Sequence, residues 1–344
     1  MKTVQITKKE FSGFIGSLIN KNPAEVIGPV ARAGRFSFEA LDAVEDLRLD
    51  YDQTTQSPRK FLFPSRDTLL TYSTRDAASY QTVSDETQRI IIGVHPGDLT
   101  AIALYDKAYS EGEADVQYCQ RRAHATLVGL YPVTPYKYRF TGSMINKDDP
   151  YRAADLMMVD MGNDTYAVEI VSEKGEELIK GVAAKPADAK TVKAVAARKL
   201  AVKDEIALPV AREELPKLLA GKERHETFTT RGDKCFSCGS CVLVCPTCVC
   251  FDVRDNVDLS LKTGQRYRTW DGCTLENFAT CAGGHNFRKN PSDRLRHRLF
   301  RKTVYLHKRF GITGCVGCGR CTAACTAGIA SIVDMVADIT GKGK

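Results

Sequence analysis

Two runs of four cysteines with one spacing constrain this chain more than any other feature. The first is Cys235-x2-Cys238-x2-Cys241-x3-Cys245, followed by Pro246, and the second is Cys315-x2-Cys318-x2-Cys321-x3-Cys325. This is the ligand pattern of a ferredoxin that carries two [4Fe–4S] clusters, in which the fourth cysteine of each run serves the other cluster. The expected sets are therefore Cys235, Cys238, Cys241 and Cys325 for one cube, and Cys315, Cys318, Cys321 and Cys245 for the other. Small residues between the ligands (Ser237, Gly239, Ser240; Gly317, Gly319) let backbone N–H groups approach the sulfurs and offset their negative charge.

Competing readings of these residues are weaker. Zinc knuckles use C-x2-C pairs, but not a repeated x2, x2, x3 run. Cys241-x3-Cys245-x2-Cys248 has the spacing of a radical-SAM loop, yet it arises inside the ferredoxin run with too little chain after it for a barrel. Disulfides need an oxidising compartment, and the first ten residues contain no apolar signal core, so a cytoplasmic location is expected. No run of about 18 apolar residues is present, so no membrane span is expected.

The remaining cysteines divide into two kinds. Cys119 stands alone and reads as an ordinary thiol. Cys248, Cys250, Cys273 and Cys281 cluster near the first run in sequence. Four thiolates suffice for a third iron–sulfur cluster or a zinc ion; the plainer reading is that Cys248 and Cys250 pack against the first cluster.

The net charge is +7. Nine Lys/Arg and one acid, Asp293, lie between Arg288 and Arg309. Three readings are open for that segment: a solvated helix face, cations compensating anionic clusters, and a docking face for an acidic carrier. Nucleic-acid binding is not expected, since no binding motif accompanies the charge.

The length admits two or three domains. The expected class is α+β: a mixed α/β domain over 1–180, a helical connector over 181–222, and a two-cluster ferredoxin-like domain over 223–344 with a long insertion between its cluster motifs. Apolar spacing predicts a helix over Lys9–Asn20. A hairpin is expected over Val26–Ala40 and another over Met157–Val171, turning at Gly162-Asn163. Strands are expected at Arg89–Val94 and Ala125–Leu130, and a helix over Leu99–Tyr105 with Asp98 as its cap. No glycine-rich phosphate loop of the known kinds follows a strand.

The stretch from Cys235 to Cys325 also contains Arg-Thr-Trp-Asp-Gly-Cys (268–273) and Ala-Gly-Gly-His-Asn-Phe-Arg (282–288). With these it resembles the beta subunits of soluble sulfhydrogenases and group 3 nickel–iron hydrogenases, a family that also includes a component of anaerobic sulfite reductase. Phe61-Leu62-Phe63-Pro64, Gly93 to Ile102 and Arg121-Arg122 look like the family's N-terminal landmarks. The resemblance implies an iron–sulfur electron-transfer subunit, itself not the catalyst. Its implied partners are a flavin-containing NAD(P)H- or ferredoxin-linked subunit and a catalytic reductase or hydrogenase subunit. Three departures stand out. Gly97 replaces a cysteine of many relatives, 131–143 holds no cysteine, and Thr326 replaces the proline after the last ligand. The first two imply that an N-terminal metal site of such relatives is lost. Other classes remain open at this point: a self-contained oxidoreductase with its own flavin or substrate site, and a redox-sensing or structural iron–sulfur protein.

Overall fold

The computed structural model describes residues 2–21, 23–75 and 79–343. Twelve strands occur among them: β1 (Lys2–Thr7), β2 (Glu25–Arg32), β3 (Arg35–Ala40), β4 (Arg66–Ser73), β5 (Tyr80–Thr82), β6 (Arg89–Val94), β7 (Ala125–Leu130), β8 (Leu156–Asp160), β9 (Thr165–Ile170), β10 (Lys185–Pro186), β11 (Phe251–Val257) and β12 (Thr263–Trp270). Eight form one sheet in the order β10-β1-β9-β8-β7-β6-β2-β3. Its centre, β2, β6, β7 and β8, is parallel, and the flanks are antiparallel.

The central strands are apolar on both sides because both faces are covered. Along β6, Ile90 and Ile92 pack with Phe11, Ile15 and Leu18 of the helix Lys8–Lys21. Ile91 points the other way, to Leu99, Ile102 and Tyr105 of the helix Pro96–Ser110. Both expected hairpins form, as β2–β3 and β8–β9. The helix expected at Leu99–Tyr105 extends over Pro96–Ser110, but its N-cap is His95, and the Asp98 carboxylate turns instead to Arg320.

A second sheet, β11-β12-β4-β5, draws strands from either side of the expected connector. β12, inside the insertion between the cysteine runs, pairs antiparallel with β4 near the start of the chain. Polar bonds seal this junction. Arg268 of β12 donates to Asp67 of β4 at 2.8 and 3.0 Å. Arg121 clasps the same carboxylate at 2.5 and 3.0 Å. Trp270 donates to Phe63 O at 3.0 Å, and the Arg59 guanidinium lies 3.9 Å from the Trp270 ring centre. Phe63 and Arg121, from two of the N-terminal landmarks, thus help join the insertion to the N-terminal part.

The segment over 181–222 is only partly helical, with Ala189–Lys199 and the short Leu215–Leu219. The C-terminal part is built from short helices around Leu215, Leu219, Phe228, Leu299, Phe300, Met335 and Val336. The chain is therefore a mixed α/β protein whose C-terminal part carries both cysteine runs. Among the described residues no helix is long and apolar enough to cross a membrane.

Candidate metal centre

The two cysteine runs have the same backbone. Gly239 (φ 76°) and Gly319 (φ 75°) each open a one-turn helix, Ser240–Leu243 and Arg320–Ala323, and these turns pack together. Two residues earlier in each run, Ser237 (φ 52°) and Gly317 (φ 66°) are also left-handed. Such a loop turns consecutive amides toward one point. Ser237 N donates to Cys235 Sγ at 3.5 Å, and Ile329 N to Cys325 Sγ at 3.4 Å. After each last cysteine the chain turns back, Cys248 N to Cys245 O at 3.3 Å and Gly328 N to Cys325 O at 3.0 Å. The second of these turns closes with Thr326 at the position that Pro246 takes in the first.

Cys245, Cys315, Cys318 and Cys321 line one enclosed cavity, together with Arg298, Lys302 and Phe140. Three of the four come from the second run and one from the first. Burial pushes the Cys315 thiol up to about 12, with Cys321 and Cys245 adding to the effect. Burial likewise raises Cys318. Of the other expected set, Cys235 and Cys325 are half-buried and Cys238 is exposed. Burial raises Cys241, which also feels Cys321 and Cys235.

The basic segment points inward. Arg294, Arg298 and Lys302 recur at four-residue intervals, on one face of the helix Pro291–Phe300 and the π-turn Arg301–Tyr305, and are 3%, 1% and 3% exposed. Arg294 donates to Ser237 Oγ at 2.7 Å, and Lys302 to Thr247 Oγ1 at 2.6 Å. Neither Arg298 nor Lys302 has a carboxylate partner among the described residues. Arg298 gives one bond, to Ala330 O at 3.1 Å, and its Nε has none. Burial opposes the charge of both, yet the neighbouring sulfurs hold both well above their ordinary range: Cys241, Cys321, Cys245 and Cys248 around Arg298, Cys245 and Cys248 around Lys302. Two buried cations without counter-ions are costly. Deprotonated, metal-bound thiolates would supply the missing anions, so these residues fit an iron–sulfur group. The solvated-face and docking readings do not describe these three side chains.

The other cysteines are placed as follows. The Cys248 thiol bonds to Cys245, which that bond and Lys302 hold well below the usual thiol range. It therefore sits by the second set rather than the first. Cys273 is buried, pushed up to about 11 by burial and then by Cys250. Cys248 in turn feels Cys273. Cys281 is exposed, in a turn closed by its N–H to His285 O at 2.8 Å. Cys119 is half-buried, its thiol directed to Tyr109 O at 3.7 Å. Among the described residues no three His, Cys, Asp or Glu side chains converge tightly enough for a single metal ion; a cube spreads its ligands more widely.

Sequence reasoning did not single out Arg320 or Thr247. Arg320, between Cys318 and Cys321, grips Asp98 and Thr54. Thr247 links Lys302 to Gly314 O at 2.5 Å. The visible signals were a Gly-Arg-Cys inside a ligand loop and a basic stripe at i, i+4, i+8 with Leu295 and Leu299 beside it.

Comparison with known proteins agrees with this geometry. The family model of the 4Fe-4S dicluster domain matches residues 234–329. Sulfhydrogenase 2 subunit beta of Pyrococcus furiosus is 30% identical over 337 residues, covering 96% of this chain and 96% of that protein. No solved structure matches. The chain is an iron–sulfur protein that belongs to the sulfhydrogenase beta-subunit family.

Proposed function

We propose that this chain is an iron–sulfur electron-transfer subunit with two [4Fe–4S] clusters, held by Cys235, Cys238, Cys241 and Cys325, and by Cys315, Cys318, Cys321 and Cys245. The observation that carries the reading is Cys245 in the wall of the cavity lined by the second run, beside two buried cations that lack carboxylates. Bound clusters supply one-electron chemistry. The chain's own groups hold the sulfurs, donate amides to them and place Arg298 and Lys302 where negative charge would rest. Reduction adds an electron to an already anionic site, so these cations favour the reduced form.

The relay runs between a flavin-containing NAD(P)H- or ferredoxin-linked subunit and a catalytic subunit such as a hydrogenase or sulfite reductase, in a cytoplasmic complex. The resemblance to a sulfhydrogenase subunit supports this. The third group, Cys248, Cys250, Cys273 and Cys281, is the candidate for a further cluster; the nearness of Cys273 to both Cys250 and Cys248 supports it, and the exposure of Cys281 weighs against it. The test is reconstitution under anaerobic conditions. The isolated chain should show little NAD(P)H-dependent dye reduction and should gain it when the flavoprotein subunit is added. Full activity in the lone chain would overturn the relay.

A further inference from the structure

Of the eight cysteines in the two expected sets, only Cys238 is exposed; Cys245, Cys318 and Cys321 are buried and the rest are half-buried. The first set therefore comes to the surface at Cys238. The surface around it is aromatic and basic. Phe236, between Cys235 and Cys238, and Phe287, in the loop before the helix Pro291–Phe300, are each 70% exposed. One buried guanidinium ties their loops together: Arg294 donates to Ser237 Oγ at 2.7 Å and to the carbonyls of Arg288 and Lys289 at 3.0 and 2.6 Å.

These two loops, 231–240 and 281–290, hold Arg231, Lys234, Arg288 and Lys289 against a single acid, Asp233. Asp338 neutralises Arg231. Among the described residues no carboxylate pairs with Lys234, Arg288 or Lys289, nor with Arg301 further along the helix. Burial, then Arg288, Arg301 and Arg296, push His297 down to about 4, so three guanidinium groups gather around one imidazole. Of these only Arg296 has a carboxylate, Asp293 at 3.2 Å. The Tyr305 ring, 43% exposed, lies 5.9 Å from His297 and continues the patch. A solvated charged face alternates its signs. Aromatic rings with arginine, and few acids, mark the core of a protein interface. Unpaired cations around exposed rings call for an acidic surface opposite them.

We propose that the face formed by Phe236, Cys238, Phe287, Arg288, Lys289 and Arg301 docks an acidic one-electron carrier protein, its redox centre toward Cys238. The exchange moves one electron, the carrier losing what the first set gains or the reverse, with no bond made or broken. That exchange rests on the iron–sulfur reading; the basic aromatic surface does not. The test titrates the anaerobically purified holoprotein with a small acidic [2Fe–2S] ferredoxin and with a basic c-type cytochrome, following heat of binding at several salt concentrations. The ferredoxin should bind one to one and weaken steeply with salt, and the cytochrome should not bind. Arg288→Gln with Lys289→Gln, and separately Phe287→Ala, should each weaken binding about tenfold, the size of one substantial interface contact. Lys308→Gln with Arg309→Gln removes the same charge at the other end of the helical stretch 291–310, about 30 Å away for twenty residues. At 0.1 M salt, where screening acts over about 10 Å, this pair should leave binding nearly unchanged. Iron and circular dichroism measured on each sample report clusters and folding separately. A folded protein short of iron that still binds ferredoxin with this dependence would support the docking face and count against the cluster reading alone. No ferredoxin binding by folded, iron-replete protein, equal binding of the cytochrome, or equal losses in the two double variants would overturn the proposal.

Discussion

Arg320 donates both terminal nitrogens to the two oxygens of Asp98, at 2.7 and 2.6 Å, with both residues buried. Asp98 lies at the start of the helix after β6, and Arg320 lies inside the second cysteine run. One ion pair therefore fixes a cysteine loop to the central sheet. Breaking one side leaves an uncompensated buried charge, typically at a cost of about 3–5 kcal/mol. Asp98→Ala should lower the urea midpoint strongly, by about that energy. The pair Asp98→Leu with Arg320→Met should cost much less, because no charge is stranded. Equal losses in the single and double variants would show that packing, not charge, holds this joint.

Gly319 provides a second, steric joint. Its φ is 75°, and an added Cβ would stand 2.4 Å from Tyr138 O. Gly112 also has a positive φ, 73°, but nothing lies near its Cβ position. Gly112→Ala should cost only the left-handed strain of about 1 kcal/mol. Gly319→Ala adds a backbone clash that cannot be relieved by a side-chain rotation, so it should cost several times more and lower iron retention on gel filtration. Similar effects of the two substitutions would contradict the close approach of 138–140 to the cysteine loop.

Lys302 and Arg298 bear on potential. Lys302→Gln should shift the midpoint potential of the nearer cluster to more negative values, on the order of 59 mV, which is one tenfold step for one electron. Redox titration followed by EPR reads this directly. An unchanged potential with intact iron would mean that the ammonium is not sensed by the cluster.

The sequence alone revealed the elements whose signal is local. Ile90, Ile91 and Ile92 make an uninterrupted apolar run because helices cover both faces of β6. Gly34 and Gly162 mark the two hairpins. The cysteine spacing is itself a local geometry. What stayed hidden depends on contacts between distant residues. β4 pairs with β12 across nearly 200 positions, and its residues are half polar because the small sheet is exposed. The burial of Arg298 was equally hidden: a basic stripe in sequence looks like a solvated face until its counter-charge is known. Asp98 looked like a helix cap because a carboxylate in a first turn commonly acts as one, and only its partner 222 residues away reveals otherwise.

Cys273 decides the question of a third cluster. It is buried beside Cys250, whereas Cys281 is exposed. If these four cysteines hold a cube, iron should approach about twelve atoms per chain, and Cys273→Ser should remove about four. If iron stays near eight in both proteins, Cys273 is structural; zinc loss without iron loss would instead identify a zinc site.

The most direct measurement is iron content with EPR of the reduced protein, comparing wild type with Cys245→Ser after anaerobic purification. The wild type should hold at least about eight iron atoms per chain and give an interacting pair of [4Fe–4S]+ signals. Cys245→Ser should perturb the cluster of Cys315, Cys318 and Cys321 and spare the other. Iron near four in the wild type, or a change confined to the cluster of Cys235, Cys238 and Cys241, would contradict the assignment of two clusters with crossed ligands.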